Sequence, residues 1–197
     1  MTDIILLLIA YLVGAIPSAY VFTRLFLNQD IRHVGTGNVG TMNALRSVGF
    51  RVGLPTMVVD IAKGAFIVHL AGLMGSSGML VIIALLVAII GHNYSIYINF
   101  KGGKGFATLI GGLLLISPIT IIILMGISTL FIILTHEPRL SQGLAIMFLP
   151  VVFWYFSFEL HYILGGLSIS TIIVMKHKEI TSFLRRSSSI NTDNSLD

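Results

Sequence analysis

The sequence predicts an all-α, polytopic membrane protein in which about seven transmembrane helices form one bundle. Of its 197 residues, 55% are hydrophobic and only 10% are charged, and the mean hydropathy is +0.96. Soluble globular domains typically contain about 25% charged residues, so this chain is too apolar for that class. Each transmembrane helix needs about 20 apolar residues, so seven would use most of the chain and leave no room for a separate soluble domain.

Apolar segments that are expected to cross the membrane follow one another along the whole chain. The first begins directly after Asp3, without the basic region or cleavage site of a signal peptide, so we expect it to be retained. The weakest boundary is Ser117-Pro118, which leaves six or eight crossings as alternatives. The seven predicted spans are residues 4–27, 52–73, 80–90 with an alternative end at 97, 106–117, 119–135, 141–156 and 160–175.

Basic residues occur in every second loop, and this asymmetry predicts the orientation of the chain. By the positive-inside rule the basic loops face the cytoplasm, which places the N-terminus outside and the C-terminus inside. We expect a single transmembrane domain over residues 1–186 and a disordered polar tail over residues 187–197. The basic loops contain Arg32, Arg46, Arg51, Lys101, Lys104, Arg139, Lys176, Lys178, Arg185 and Arg186.

Asp60 and Lys63 are charged residues inside the second predicted span. A lone charge at the centre of a membrane helix costs about 2.5–3.5 kcal/mol on insertion scales. Being three residues apart, the two side chains share a helix face and can pair. The spacing predicts an ion pair that orients the helix, and the alternative is that Lys63 also reaches an anionic substrate.

A glycine-rich segment at residues 35–46 follows the first span. It matches the dinucleotide pattern G-x-G-x-x-G, but that pattern needs a preceding strand, whereas here a membrane span precedes it. Three glycines allow backbone N–H groups to approach an anion closely, and the polar side chains add donors. A plain flexible turn would not explain all of these donors. We predict an anion site that includes Thr36, Gly37, Asn38, Gly40, Asn43 and Arg46.

A second glycine-rich segment, residues 99–108, leads into the fourth span. Gly105 follows Lys104 where a Walker A motif needs Ser or Thr, so ATP binding is not indicated. If a helix begins at Phe106, the glycine-rich segment presents free N–H groups and a positive dipole end at the membrane surface, with Lys104 alongside. The positive-inside rule alone explains the lysines but not the glycines between them. We predict an anion site formed by Lys101, Gly102, Gly103, Lys104, Gly105 and Thr108.

Two histidines accompany these segments, His92 before the second one and His177 after the last span. Histidine can exchange protons near neutral pH, although a lone histidine at a membrane interface is most often structural. The absence of cysteine excludes disulfides, thiolate metal ligands and a thiol nucleophile. No metal site is predicted, because no metal-binding spacing relates the other histidines, His33, His69, His136 and His161.

In order and spacing, these motifs resemble those of the bacterial acyl-phosphate-dependent glycerol-3-phosphate acyltransferases. The resemblance rests on G-T-G-N-V-G-T-M-N-A-L-R, D-I-A-K-G, His92 followed by F-K-G-G-K-G-F-A-T, and K-H-K-E. It implies a seven-helix enzyme of the cell inner membrane that transfers an acyl group from acyl phosphate to the 1-hydroxyl of glycerol 3-phosphate. The products would be lysophosphatidate and phosphate. No cofactor and no nucleic acid are expected; the partners are the two substrates and membrane lipids, in an oligomeric state that is left open.

The resemblance also implies roles for individual residues at a cytoplasmic active site. Lys104 and His177 would be catalytic, with the hydroxyl proton passing to His177 or to a substrate phosphate. The two glycine-rich segments and Ser141 would hold the substrates, with Asp60, Lys63 and His92 in support.

The chain departs from the family after K-H-K-E. The family has an Asn and an Arg in that stretch, and this chain has residues 180–183, which include Ile180 and Phe183. A catalytically impaired homologue that binds lipid precursors is therefore one alternative. Another is an anion or phosphate transporter that uses the same loops as a vestibule.

Overall fold

A computed structural model describes residues 1–156 and 158–177, and within these ranges the chain is helical and contains no β-strand. The predicted tail lies outside the described residues. In the described part, four helical segments are long and apolar enough to cross a membrane: Thr2–Leu27, Phe50–Leu73, Gly78–Ile98 and Pro118–Thr135. The helical membrane class is therefore confirmed, whereas the seven crossings and their orientation stay predictions.

The helices fall into two compact units, Met1–Ile121 and a second that begins at Ile122. The single-domain organisation over residues 1–186 stays a prediction. Short helical turns at Ile31–His33, Ala44–Val48 and Ile96–Ile98 lie in the connections. The described helices are α1 (Thr2–Ala15), α2 (Ser18–Leu27), α3 (Thr41–Asn43), α4 (Phe50–Leu73), α5 (Gly78–Asn93), α6 (Phe106–Ile116), α7 (Pro118–Thr135), α8 (Pro138–Ile146), α9 (Leu149–Tyr155) and α10 (Leu160–Met175).

Proline interrupts the helix within two of the predicted spans, residues 4–27 and 141–156, and the first of them is still long and apolar enough to cross a membrane. Pro17 separates α1 from α2, because proline has no N–H to donate and disfavours a helical conformation at the preceding Ile16, which has ψ 116°. In the second unit, Pro150 cannot donate to the carbonyl of Ile146, and its ring would clash with that carbonyl. Helix α8 therefore ends at Ile146 and α9 begins after a short break.

Glycines allow two pairs of helices in the first unit to approach closely. A Cβ atom at Gly14 of α1 would lie 2.1 Å from the carbonyl oxygen of Ala88 in α5. A Cβ atom at Gly64 of α4 would lie 1.8 Å from the carbonyl oxygen of Thr108 in α6. Small residues at such positions are typical of helix interfaces in membranes. These interfaces hold the ends of α5 and α6, between which the second glycine-rich segment lies.

We expect Gly64→Ala to destabilise the protein by about 1–3 kcal/mol or more, because the methyl group would overlap a backbone oxygen that cannot rotate away. Thermal unfolding of the purified protein in detergent measures the effect. Gly72, in the same helix, has no atom within 4 Å of its Cβ position. Gly72→Ala should therefore leave stability unchanged or raise it by up to about 1 kcal/mol. Equal unfolding temperatures for the two variants would contradict this account of the interface.

The second unit is organised around Phe153, which is fully buried. Its ring centroid lies 5.1 Å from that of Phe158 and 6.0 Å from that of Tyr162, which is the spacing of tilted and edge-on aromatic pairs. The Ser170 hydroxyl of α10 donates to the carbonyl oxygen of Ile146 at 2.7 Å. This bond satisfies an orphan carbonyl at the end of α8 and ties the two helices together.

Candidate active site

Asn43 organises the first glycine-rich segment from within. Its Oδ1 accepts the Thr36 N–H at 2.9 Å and the Ser47 hydroxyl at 3.2 Å. Its Nδ2 donates to the carbonyl oxygens of Val34 at 2.9 Å and Asn38 at 3.0 Å. An asparagine side chain has two donors and two acceptor positions, and all four are used by residues of this segment or directly beside it. We therefore revise the predicted role of Asn43 from substrate donor to organiser of the loop.

Two of the three glycines of this segment have a backbone conformation that favours glycine. Gly35 has φ +59° and Gly37 has φ +72°, in the left-handed region that other residues rarely adopt. The side chains of Thr36 and Arg46 are exposed, and that of Asn38 is half-buried. Of the predicted substrate-binding side chains in the segment, these three are accessible to a ligand.

The second glycine-rich segment packs against both the end of α5 and the first segment. The Gly102 N–H donates to the carbonyl of Asn93 at 3.2 Å, and the Gly103 N–H donates to that of His92 at 3.0 Å. Our expectation of free amides was therefore wrong for these two glycines. A Cβ atom at Gly103 would lie 2.2 Å from His92 Nε2 and 2.9 Å from the carbonyl oxygen of Val39. The two glycine-rich segments thus meet at Gly103.

A small depression lies at this meeting point. Its lining includes Pro17 and Ser18 from the break between α1 and α2, as well as His92 and Gly103. The proline break therefore contributes backbone and a hydroxyl group to the surroundings of both segments.

Lys104 lies where the chain turns into α6. That helix begins at Phe106, as predicted, and Gly105 before it has φ +81°. Lys104 is half-buried between two buried glycines, whereas Lys101 is exposed. Lys104 lies two residues before the start of α6, near the positive end of the helix dipole, whereas Lys101 lies farther along the chain from it. Thr108, in the first turn of α6, is fully buried.

Asn93 is a buried polar residue beside the second segment that sequence reasoning missed. It is fully buried at the end of α5, and its carboxamide has no hydrogen-bond partner among the described residues. A Cβ atom at Gly105 would lie 2.9 Å from Asn93 Oδ1, so the side chain lies beside the start of α6. The available signal was a polar residue next to His92 inside an apolar span.

Asp60 and Lys63 form the predicted ion pair. Both side chains are buried, and Nζ lies 2.7 Å from Asp60 Oδ1. The carboxylate also accepts the Ser18 hydroxyl at 2.5 Å and the Thr41 hydroxyl at 3.4 Å. Lys63 donates in addition to the carbonyl oxygen of Ile16 at the proline break. The ammonium group of Lys63 is therefore directed toward the protein's own acceptors, which favours the ion-pair interpretation over substrate contact.

A second, more exposed ion pair lies just before the first glycine-rich segment. Arg32 Nη2 lies 2.6 Å from Asp30 Oδ2, and Arg32 Nε reaches both carboxylate oxygens at 3.0 and 3.1 Å. The hydrogen bond from Arg32 lowers the pKa of Asp30 to about 2, although partial burial opposes the shift. The Arg32 guanidinium also lies 5.3 Å from the centroid of the Tyr20 ring. Asp30 and Arg32 therefore stabilise the local structure of this loop.

In the second unit, Ser141 and His177 are both buried. The Ser141 hydroxyl donates to the Glu137 carbonyl at 2.9 Å and lies 3.0 Å from the Thr135 hydroxyl oxygen. His177 Nδ1 lies 3.0 Å from the carbonyl oxygen of Ile173, a contact that needs the proton on Nδ1. In a neutral ring the lone pair is then on Nε2. His177 is the last described residue, so the predicted departures at Ile180 and Phe183 lie outside the described part.

Comparison with known proteins decides the family. The family model described as glycerol-3-phosphate acyltransferase matches residues 4–186, which is nearly the whole chain. The chain belongs to the glycerol-3-phosphate acyltransferase family. The resemblance that the motifs carried is thereby confirmed. Glycerol-3-phosphate acyltransferase 1 of Moorella thermoacetica is 37% identical over 171 residues, which cover 85% of this chain and 86% of the relative. The glycerol-3-phosphate acyltransferase of Syntrophomonas wolfei is 34% identical over 188 residues, which cover 95% and 96%.

A solved structure shares the fold of this glycerol-3-phosphate acyltransferase family member. It is the crystal structure of PlsY, an integral membrane glycerol 3-phosphate acyltransferase, in its glycerol 3-phosphate form. The TM-score is 0.85 at 24% sequence identity, and the match covers 95% of this chain and 94% of that one. At this identity the likeness concerns the fold, and it agrees with a helical protein of the membrane.

Proposed function

We propose that this chain transfers an acyl group from acyl phosphate to the 1-hydroxyl of glycerol 3-phosphate, as a step of phospholipid biosynthesis. The family model and the relatives are named glycerol-3-phosphate acyltransferase, a name that denotes the acylation of glycerol 3-phosphate. The structural observation that supports this proposal most is the meeting of two glycine-rich, basic segments at Gly103, next to Lys104. Both substrates are phosphates, and two adjoining anion sites are what such a reaction needs.

The proposed chemistry is a direct transfer. The hydroxyl oxygen of glycerol 3-phosphate attacks the acyl carbon, the bond from that carbon to the phosphate oxygen breaks, and phosphate leaves with the electron pair. Lys104 and Arg46 would hold the phosphates and stabilise the developing negative charge. The hydroxyl proton would pass to His177 or to a substrate phosphate. Because acyl phosphate is already an activated anhydride and the chain has no cysteine, no thioester intermediate is needed.

The test uses purified protein in lipid or detergent, radiolabelled glycerol 3-phosphate and synthetic palmitoyl phosphate. We expect lysophosphatidate to form with acyl phosphate alone, without nucleotide. Activity with acyl-CoA and none with acyl phosphate would contradict the proposed donor. Binding of both substrates without product would indicate an impaired homologue. Phosphate uptake into vesicles without product would indicate a transporter.

We also propose the orientation of the chain: seven crossings of the cell inner membrane, an outside N-terminus and a cytoplasmic active site. The distribution of Lys and Arg among the loops supports it. A reporter fused after Asp197 should behave as cytoplasmic. One inserted at Ser76-Ser77, between α4 and α5, should behave as external. Finding both reporters on one side would contradict the seven-span arrangement.

A further inference from the structure

The buried carboxylate of Asp60 accepts more contacts than an ion pair requires. Besides Lys63, it accepts the hydroxyl groups of Ser18 and Thr41, and His92 Nδ1 lies 3.7 Å from its Oδ1. A buried ion pair is by itself weak evidence for stability, because desolvation offsets much of the attraction. The additional contacts are informative because they lead to different parts of the site.

Two of these contacts lead to the two glycine-rich segments. Thr41 directly follows Gly40 in the middle of the first segment, and its hydroxyl donates to Asp60 Oδ2 at 3.4 Å. His92 holds the second segment, because its carbonyl accepts the Gly103 N–H at 3.0 Å and its ring lies against Gly103. One carboxylate in the membrane-spanning part thus contacts a residue of the first segment and the residue that supports the second.

We propose that Asp60 is a positioning residue that sets the two glycine-rich segments relative to each other through Thr41 and His92. The inference rests on the proposed function, because it matters only if the two segments bind the two phosphates of one reaction. The negative charge and both oxygens are needed, since an asparagine would replace one acceptor oxygen by an amide donor. With that acceptor lost, Thr41 or Ser18 can no longer donate at that position and must turn its hydroxyl to accept from the amide, and Lys63 loses the negative charge with which it pairs. The first segment is then no longer held as it is in the wild type.

The test is a double-mutant cycle on catalytic efficiency with glycerol 3-phosphate and palmitoyl phosphate. Asp60→Asn should lower kcat/KM by about 10- to 100-fold, since small misplacements of binding groups have effects of this size. Thr41→Val, which keeps the shape but removes the hydroxyl, should lower kcat/KM by about 3- to 10-fold. Thr41→Ser keeps the hydroxyl and should therefore keep kcat/KM close to the wild-type value. In the double variant the two losses should not multiply, because both remove the same contact.

The matched control is Asp30→Asn, which weakens the half-buried ion pair with Arg32 outside the two segments and should leave kcat/KM within about twofold of the wild type. Membrane level and unfolding temperature are measured for every variant. Near wild-type kcat/KM for folded Asp60→Asn, or multiplying losses in the double variant, would overturn the proposal. If Asp60→Asn does not accumulate, equal activities of Thr41→Val and Thr41→Ser would overturn it. A wild-type protein that forms no lysophosphatidate would instead refute the proposed function.

Discussion

Lys104→Ala is expected to lower kcat/KM by about 10- to 200-fold or more, because a buried charge-assisted contact with phosphate contributes on the order of 1.5–3 kcal/mol. The residue is half-buried between Gly103 and Gly105, and neither neighbour has a side chain that would keep a phosphate away from the backbone. The measurement is steady-state kinetics with glycerol 3-phosphate and palmitoyl phosphate.

Lys101 provides the matched control in the same segment. Its side chain is exposed, so Lys101→Ala removes the same charge from the loop without removing the proposed phosphate contact. We expect a clearly smaller loss than for Lys104→Ala, of at most about fivefold. Protein level in the membrane is compared for both variants, because a misinserted protein would lose activity for another reason. Equal expression with near wild-type turnover of Lys104→Ala would show that this segment is an orientation signal and not a phosphate site.

Gly103→Ala is expected to reduce kcat/KM by about 100-fold or more, because a Cβ atom there would push the segment away from the groups that hold it. It would lie 2.2 Å from His92 Nε2 and 2.9 Å from the carbonyl oxygen of Val39. The imidazole can move, but the Val39 carbonyl belongs to the first glycine-rich segment. The two segments would therefore separate, together with the lysine that follows Gly103. Kinetics with both substrates, alongside the unfolding temperature, measure the loss.

Gly126→Ala is the control for a glycine with open space. No atom lies within 4 Å of its Cβ position in α7, so the variant should keep wild-type activity and stability. A folded Gly103→Ala protein with kcat/KM equal to that of Gly126→Ala would contradict the close contact between the two segments.

Local sequence patterns were sufficient to predict most of the helices and one ion pair. The start of α6 at Phe106 and the bounds of α10 at residues 160–175 were predicted, because apolar runs and glycine or polar breaks are properties of neighbouring residues. The Asp60–Lys63 pair followed from i,i+3 spacing on one helix. The breaks at Pro17 and Pro150 could also have been predicted locally, since proline stops the hydrogen-bond ladder.

The sequence by itself determined the membrane class, most helix positions, the family and the two segments that carry charge and glycine. Only the tertiary structure decided which polar groups of those segments already form hydrogen bonds within the protein. Asn43 has all four hydrogen-bonding positions engaged, and the amides of Gly102 and Gly103 are bonded to the end of α5. The partners of Asp60 at Ser18 and Thr41 are 42 and 19 residues away in the chain. A residue pattern records which donors and acceptors exist, but their pairing depends on how the helices pack.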